Sequence, residues 1–186
     1  MSNLTHVDPS GHARMVDITD KAPTVRMARA RGAIRMRPET LTLIRNNQVA
    51  KGDVLAVARI AGVMGAKRTA ELIPLCHPIA LSDIQIAFEL DDALPGVWVE
   101  ATARTTGSTG VEMEAMTAVS VSLITIYDMA KGVDKGMELA QISLIEKRGG
   151  KRGDWVRRES SPAASIRFRG PRLAGLRAST DDRGHL

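Results

Sequence analysis

The 186-residue chain carries 26 Lys and Arg against 21 Asp and Glu, a net charge of +5 and a pI near 9.8. Such basicity invites a nucleic-acid reading, but seven Arg against Glu159, Asp181 and Asp182 put +4 on residues 155–186 and leave +1 for the 154 residues before them. Aromatic residues make up 3% of a chain that is 44% hydrophobic, so the core is aliphatic and methionine-rich, and only Phe88 and Trp98 are strand candidates for stacking a base.

The single cysteine, Cys76, excludes an intrachain disulfide and suits a reducing compartment. The opening MSNLTHVDPSGHAR is polar, and the apolar stretch around Ala118–Tyr127 is short and broken by Ser and Thr, so neither a membrane span nor a membrane partner is expected and the location expected is cytoplasmic.

Residues 1–23 read as a loose lead-in. Thr24–Arg37 alternates apolar residues with arginines, as a strand with one wet face does, although the pattern slips near Gly32. Pro38 and Glu39 open a short helix that Asn46 and Asn47 close. Asp53 is a plausible N-cap for a helix running through VLAVARIAGVMGAKRTAELI, and Pro74 and Pro78 bracket a constrained connection, Leu75-Cys76-His77. Leu81–Leu90 and Val97–Arg104 alternate on either side of a Pro-Gly turn, the pattern of an antiparallel hairpin. TGSTG then precedes a long helix over Glu112–Gly132, and Met137–Lys147 is a last alternating strand.

The order strand, helices, strand, strand, helix, strand predicts an α+β fold, a ferredoxin-like sandwich with helices on one face of an antiparallel sheet, over residues 24–155. Residues 156–186 form an Arg-rich tail with no packable face and are expected to be disordered.

Asp128 and Lys131 stand three apart on the long helix and so share a face. They read either as an acid/base pair or as a surface ion pair worth ~0–1 kcal/mol. The TGSTG turn at a helix N-terminus suits an anion, yet Glu112 and Glu114 repel phosphate and suit the N–H edge of a guanine-like base. Lys51, Lys67, Lys131, Lys147 and Lys151 lie near element ends, where together they can neutralise a polyphosphate. His77 beside Cys76 fits a substrate hydrogen bond better than a zinc site, because no second ligand pair with metal-binding spacing exists.

The stretches LTHVD, MVDITDKAPTVRMARA, KGDVLAVARIAGVMGAKRTAELIPLCHPIALS, TGSTGVEMEAMTAVSVSLITIYDMAKGVDK and EKRGGKRGDW together resemble the cyclic pyranopterin monophosphate synthase family of molybdenum cofactor biosynthesis, over roughly residues 1–155. The resemblance implies a lyase that converts 3′,8-cyclised dihydro-GTP to the cyclic pyranopterin with loss of pyrophosphate. It implies a homohexamer, a trimer of dimers, with active sites at subunit interfaces. No resident cofactor or metal is implied, Mg²⁺ being the ion that a triphosphate can bring with it. On matching positions Asp128 is catalytic with Lys131 as its proton-transfer partner, and Leu75, Cys76, His77, Glu112 and Met113 fall on segments that bind the GTP-derived substrate, to whose guanine-type edge Glu114 is assigned with Glu112. Because that substrate is a triphosphate, Lys51, Lys67 and Lys147 are assigned to phosphate binding or proton transfer, Lys51 being set with the catalytic residues and Arg26 added as a further candidate, and Ser108 stands where the family commonly has lysine. The alternative is a nucleic-acid-binding module that uses the basic tail.

Overall fold

The computed structural model describes residues 11–151 and 153–158. The tail expected from residue 156 lies outside the described residues beyond Arg158.

The alternating segment from Thr24 forms β1 (Thr24–Arg35), and its slip near Gly32 has a cause in pairing, since the register against β4 (Glu138–Arg148) shifts between Arg31 and Ala33. Helix α1 (Pro38–Arg45) begins with proline in its first turn, where the missing N–H costs nothing. Asp53 caps α2 (Val54–Lys67), its Oδ1 accepting from Ala56 N at 2.9 Å. The single helix expected through Ile73 is instead two: Arg68 leaves helical space at φ −108° and ψ 15°, and α3 (Thr69–Leu72) follows. Buried Thr69 gives the break a local reason, because its hydroxyl turns back to donate to Ala66 O at 3.0 Å.

The hairpin is β2 (Asp83–Asp91) with β3 (Gly96–Gly107), then α4 (Glu112–Ala130) and β4 follow, and a two-residue strand, β5 (Trp155–Val156), pairs with Glu146 and Lys147. Sequence alternation is silent on an element so short. The sheet order is β2-β3-β1-β4-β5, with every neighbouring pair antiparallel. Its first four members have the ferredoxin-like arrangement that the element order predicts.

One aliphatic core joins the helices to the sheet, with Ala28, Ala30 and Ile34 of β1, Val97 and Val99 of β3, and Ala115, Val119, Leu123 and Ile126 of α4 all buried in it. Two glycines let the layers approach. A Cβ on Gly32 would lie 2.9 Å from both Leu123 Cδ1 and Val119 Cγ1, so β1 meets α4 without a side chain between them. A Cβ on Gly62 of α2 would overlap Ser122 Oγ and lie 2.9 Å from Ala118 O on α4. Ser122 Oγ, fully buried, donates to Ala58 O of α2 at 3.1 Å. Helices α2 and α4 are thereby locked side by side and antiparallel.

Across the sheet, Trp98 packs with Ala33 and Leu94 under Arg31, whose guanidinium carbon lies 5.7 Å from the ring centroid.

Replacing Gly62 by alanine forces a methyl group against backbone and a buried hydroxyl, so overpacking should cost about 1–3 kcal/mol. Urea unfolding followed by circular dichroism will read this as a lower midpoint at unchanged slope; an unchanged midpoint would mean that the two helices are not in close contact.

Candidate active site

The antiparallel pairing of α2 and α4 brings together residues 77 positions apart: Lys51, just before α2, donates from Nζ to both the carbonyl and Oδ2 of Asp128, each at 2.8 Å. From the other side Lys131 Nζ approaches Asp128 Oδ1 at 2.7 Å, as the three-residue spacing anticipates. One carboxylate is therefore shared by two ammonium groups, with all three side chains about half exposed. The hydrogen bonds from Lys131 and then Lys51, reinforced by their charges, hold the Asp128 carboxyl down at about 2. The same bond to Asp128 raises the Lys131 ammonium above its ordinary value. At neutral pH this is a closed ion triplet.

The loop after α4 is pinned by Asp134, which is buried and accepts from Arg37 N at 2.9 Å and Gly136 N at 3.0 Å. It also accepts from Thr40 Oγ1 at 3.2 Å, so the chain beyond Lys131 is tied to the start of α1.

At the opposite end of α4 a cleft of about 530 Å³ opens between the helix start, the ends of β1, β3 and β4, and the connection after α3. Leu75, Cys76, His77, Glu112, Met113 and Glu114 line it together with Arg26 and Lys147. Glu114 is only 3% exposed, and burial, followed by repulsion from Glu112, pushes its carboxyl upward. Burial and the nearby Glu114 likewise push up the Cys76 thiol. Lys147 Nζ lies 3.4 Å from Glu112 Oε1, and Arg26 Nε donates to Gly107 O at 2.8 Å. A Cβ on Gly110 would collide with the Glu112 carboxylate, so the last glycine of TGSTG is what lets that side chain fold back.

Eight of the expected substrate-binding residues thus share one cleft, but Lys67 stands outside its wall, exposed at the end of α2. Neither Asp128, Lys51 nor Lys131 lines it. Sixteen residues of helix separate Glu112 from Asp128, about 24 Å at 1.5 Å per residue. Within one chain the Asp128 triplet and the cleft therefore stand apart, at opposite ends of α4.

The cleft also holds Lys151, one of the lysines that the sequence places near element ends, and several residues that the sequence reading left unassigned. Val16, Ile18 and Lys21, from the segment expected to be loose, form part of its wall, and Ser108 Oγ donates to Lys21 O at 2.7 Å. Arg148, Gly149, Gly150 and Lys151 complete the far side, with both glycines at φ near +84°. A Cβ on Gly149 would strike Val25 O and one on Gly150 would strike Arg26 Nη1. The signal lay in the run EKRGGKRGD, because paired glycines at positive φ among cations make an anion-facing concavity.

Among the described residues no group of three or more His, Cys, Asp or Glu is placed to hold a metal ion, and no helix is long and apolar enough to cross a membrane. Residues 15–150 match the model of the MoaC family.

Two titrations follow from these geometries. The Asp128 carboxyl should titrate at about 2 by carbon-detected NMR, and Lys131→Ala should move it up toward the ordinary 3.8, since removing an ammonium destabilises the anion. An unmoved value in Lys131→Ala would show that the triplet does not form. Glu114 has the opposite sign. Its raised carboxyl opposes folding once it ionises, so Glu114→Gln should raise the thermal midpoint at pH 7 and lose that advantage below about pH 4, where the carboxyl is protonated folded or unfolded. Equal midpoints at pH 7 would contradict a buried, perturbed Glu114.

Proposed function

The chain belongs to the MoaC family, an enzyme family of molybdenum cofactor biosynthesis, and on that premise we propose that it is a lyase, cyclic pyranopterin monophosphate synthase. Its substrate in this reading is 3′,8-cyclo-7,8-dihydroguanosine 5′-triphosphate, and its products are the cyclic pyranopterin monophosphate and pyrophosphate. The observation that carries the reading is the Asp128 carboxylate held between the Lys51 and Lys131 ammonium groups.

Such a triplet is a poor base while it is closed, because a carboxyl with a pKa of about 2 has little affinity for a proton at pH 7. A polyanionic substrate changes that. Its phosphates compete for the two ammonium groups, and a carboxylate that gives up either cation becomes more basic. Asp128 then accepts a proton from the purine-derived ring or from an attacking hydroxyl, and where Lys51 is the cation that the phosphates take, Lys131 stays beside Asp128 as its proton-transfer partner. The rearrangement opens the purine-derived ring and closes the pterin. In the phosphate step a hydroxyl oxygen bonds to the α-phosphorus as the bond to the β-phosphate breaks, and cations meet the charge gathering on pyrophosphate.

The cleft suits the other half of the substrate. Glu112 and Glu114 offer acceptors to a guanine-type donor edge, while Lys21, Lys147 and Lys151 with Arg26 and Arg148 supply positive charge around it. This inventory offsets the serine at position 108. Mg²⁺, where it takes part, belongs to the triphosphate as substrate rather than to the protein. With the half-sites at opposite ends of α4, catalysis requires that a second copy bring its own half-site across, in keeping with a homohexamer, a trimer of dimers, working in the cytoplasm.

The nucleic-acid alternative loses the two aromatic residues expected to serve it, although Trp155 on β5 is 42% exposed. Trp98 is 1% exposed, and the Phe88 ring is covered by Arg59, whose guanidinium carbon is 5.1 Å from its centroid, so neither presents a free stacking face.

Turnover of the cyclised nucleotide, followed by product fluorescence after oxidation, should fall about 10²–10⁴-fold in Asp128→Asn and in Lys131→Ala. Normal turnover in both would sink the assignment. A chain cut after Arg158, which keeps β5 and the Arg157 N–H donating to Ile145 O, should keep full turnover, whereas a tail-dependent nucleic-acid binder would lose binding and have no turnover.

A further inference from the structure

Helix α1 begins without a capping side chain of its own, since Arg37 at its N-cap makes no side-chain bond to the first turn. The acceptor comes from 97 residues away. Asp134 Oδ2 accepts from Arg37 N at 2.9 Å and from the Thr40 hydroxyl at 3.2 Å, which sets a carboxylate at the positive end of the α1 dipole. Its other oxygen, Oδ1, accepts from Gly136 N at 3.0 Å and stands 3.5 Å from Arg37 Nε. One carboxylate therefore joins two elements, with Oδ2 on α1 and Oδ1 on the turn that follows α4. Arg37 Nη2 reinforces the joint by donating to Val133 O.

Both elements lead to the Asp128 triplet. On the α4 side, Val133 N and Asp134 N donate to Ala130 O at 3.0 and 3.1 Å, and Lys131 N donates to Tyr127 O at 2.8 Å, so Lys131 opens the turn that Asp134 closes. On the α1 side the helix ends at Arg45, Gln48 N donates to Leu43 O at 2.8 Å, and buried Val49 anchors the link in the core just before Lys51. Lys51 Nζ then reaches the Asp128 carbonyl and carboxylate. The contacts close on themselves: Asp128 and Lys131 lead to Asp134, Asp134 to α1, α1 to Lys51, and Lys51 back to Asp128. An ammonium at the end of a flexible stem finds one carboxylate reliably only when its backbone is fixed.

Asp134 is 5% exposed, an unfavourable place for a charge unless its oxygens are bonded. Those bonds, the one from Arg37 N foremost, hold its carboxyl below the usual carboxylate range, so both oxygens accept at neutral pH. We propose that Asp134 is the positioning residue of the Asp128 triplet, setting the backbones of Lys131 and Lys51 together by clamping the turn after α4 to the start of α1. The consequence for turnover rests on the reading above, in which the triplet serves the reaction; the consequence for geometry does not.

Asp134→Asn separates the two attachments, because an amide of the same size has one acceptor oxygen and must release either α1 or the turn. Carbon-detected NMR reads the result without catalysis: the Asp128 carboxyl should move from about 2 up toward the ordinary 3.8 as Lys131 or Lys51 leaves it. The kcat for the cyclised nucleotide should fall about 10–100-fold, the scale of a small misplacement of reacting groups. Val99→Ala, which opens a cavity in the core under β3, controls for lost stability alone: it should lower the thermal midpoint and leave both the Asp128 titration and kcat unchanged. An Asp128 carboxyl still at about 2 in Asp134→Asn overturns the proposal, as does a variant that, like the control, loses only stability. Should Asp134→Asn fail to fold, Thr40→Val removes one bond to Oδ2 at nearly constant shape and should move Asp128 upward by a smaller amount; an unmoved value there overturns the proposal equally. If the wild-type chain does not turn over the cyclised nucleotide while Asp134→Asn still moves Asp128, the functional reading fails and the positioning stands. A fall in kcat with Asp128 unmoved has the reverse meaning.

Discussion

Close contact between α2 and α4 is the constraint on which the rest depends. It exists because Gly62 and Gly65 present no side chain where Ser122, Ala118 and Val121 come across, and because Ser122 closes the gap with a hydrogen bond to the Ala58 carbonyl. A larger residue at either glycine would push the helices apart or rotate one about its axis. Either movement would be felt at the helix ends, where the geometry is chemical rather than structural. Lys51 reaches Asp128 only because the start of α2 is held beside the end of α4. The connection carrying Cys76 and His77 likewise reaches the cleft after the other end of α2, interrupted by the break at Arg68. A contact made of small residues in mid-helix thus fixes both ends, where the candidate site residues stand.

Much of this was legible in the sequence because local chemistry decides it. Pro38 marks a helix start since it lacks the N–H that a first turn leaves unpaired, and Asp53 marks another since its carboxylate replaces a missing acceptor. The hairpin follows from two alternating runs about a short turn, and the order of elements suffices for the antiparallel sheet. What remained hidden depends on contacts made at a distance. The break at Arg68 needs the burial of Thr69, which a continuous helical pattern does not reveal. The part of Val16, Ile18 and Lys21 in the cleft needs the tie from Ser108 to the Lys21 carbonyl, made across 87 residues.

The site residues show the same division. Spacing places Asp128 beside Lys131, because both lie on one helix. Spacing cannot add Lys51, which arrives from another element, and here resemblance to a family supplied what periodicity did not. Lys67 illustrates the converse, since a position at an element end qualifies many lysines and the fold leaves this one outside the cleft. The distance between Glu112 and Asp128 was legible too, since a helix over Glu112–Gly132 sets them sixteen residues apart, whereas the gathering of Leu75, Cys76 and His77 at the Glu112 end depends on how α2 packs on α4 and is written in no spacing.

Net charge is a poor guide to such a protein, and the reason is visible at Asp128. The triplet totals one positive charge, yet the property on which the proposed function draws is the competition between a carboxylate and an incoming phosphate for the same two ammonium groups. Because these groups are about half exposed, solvent weakens the ion pairs in the free protein and makes the exchange of partners inexpensive. Burial under a second chain would exclude that solvent and strengthen every charge interaction among them. The state in which Asp128 is most tightly neutralised and the state in which it is released then differ by the presence of the substrate's own charge. In the proposed reaction a base controlled in this way stays quiet until the polyanion that it is to act on has displaced its counterions.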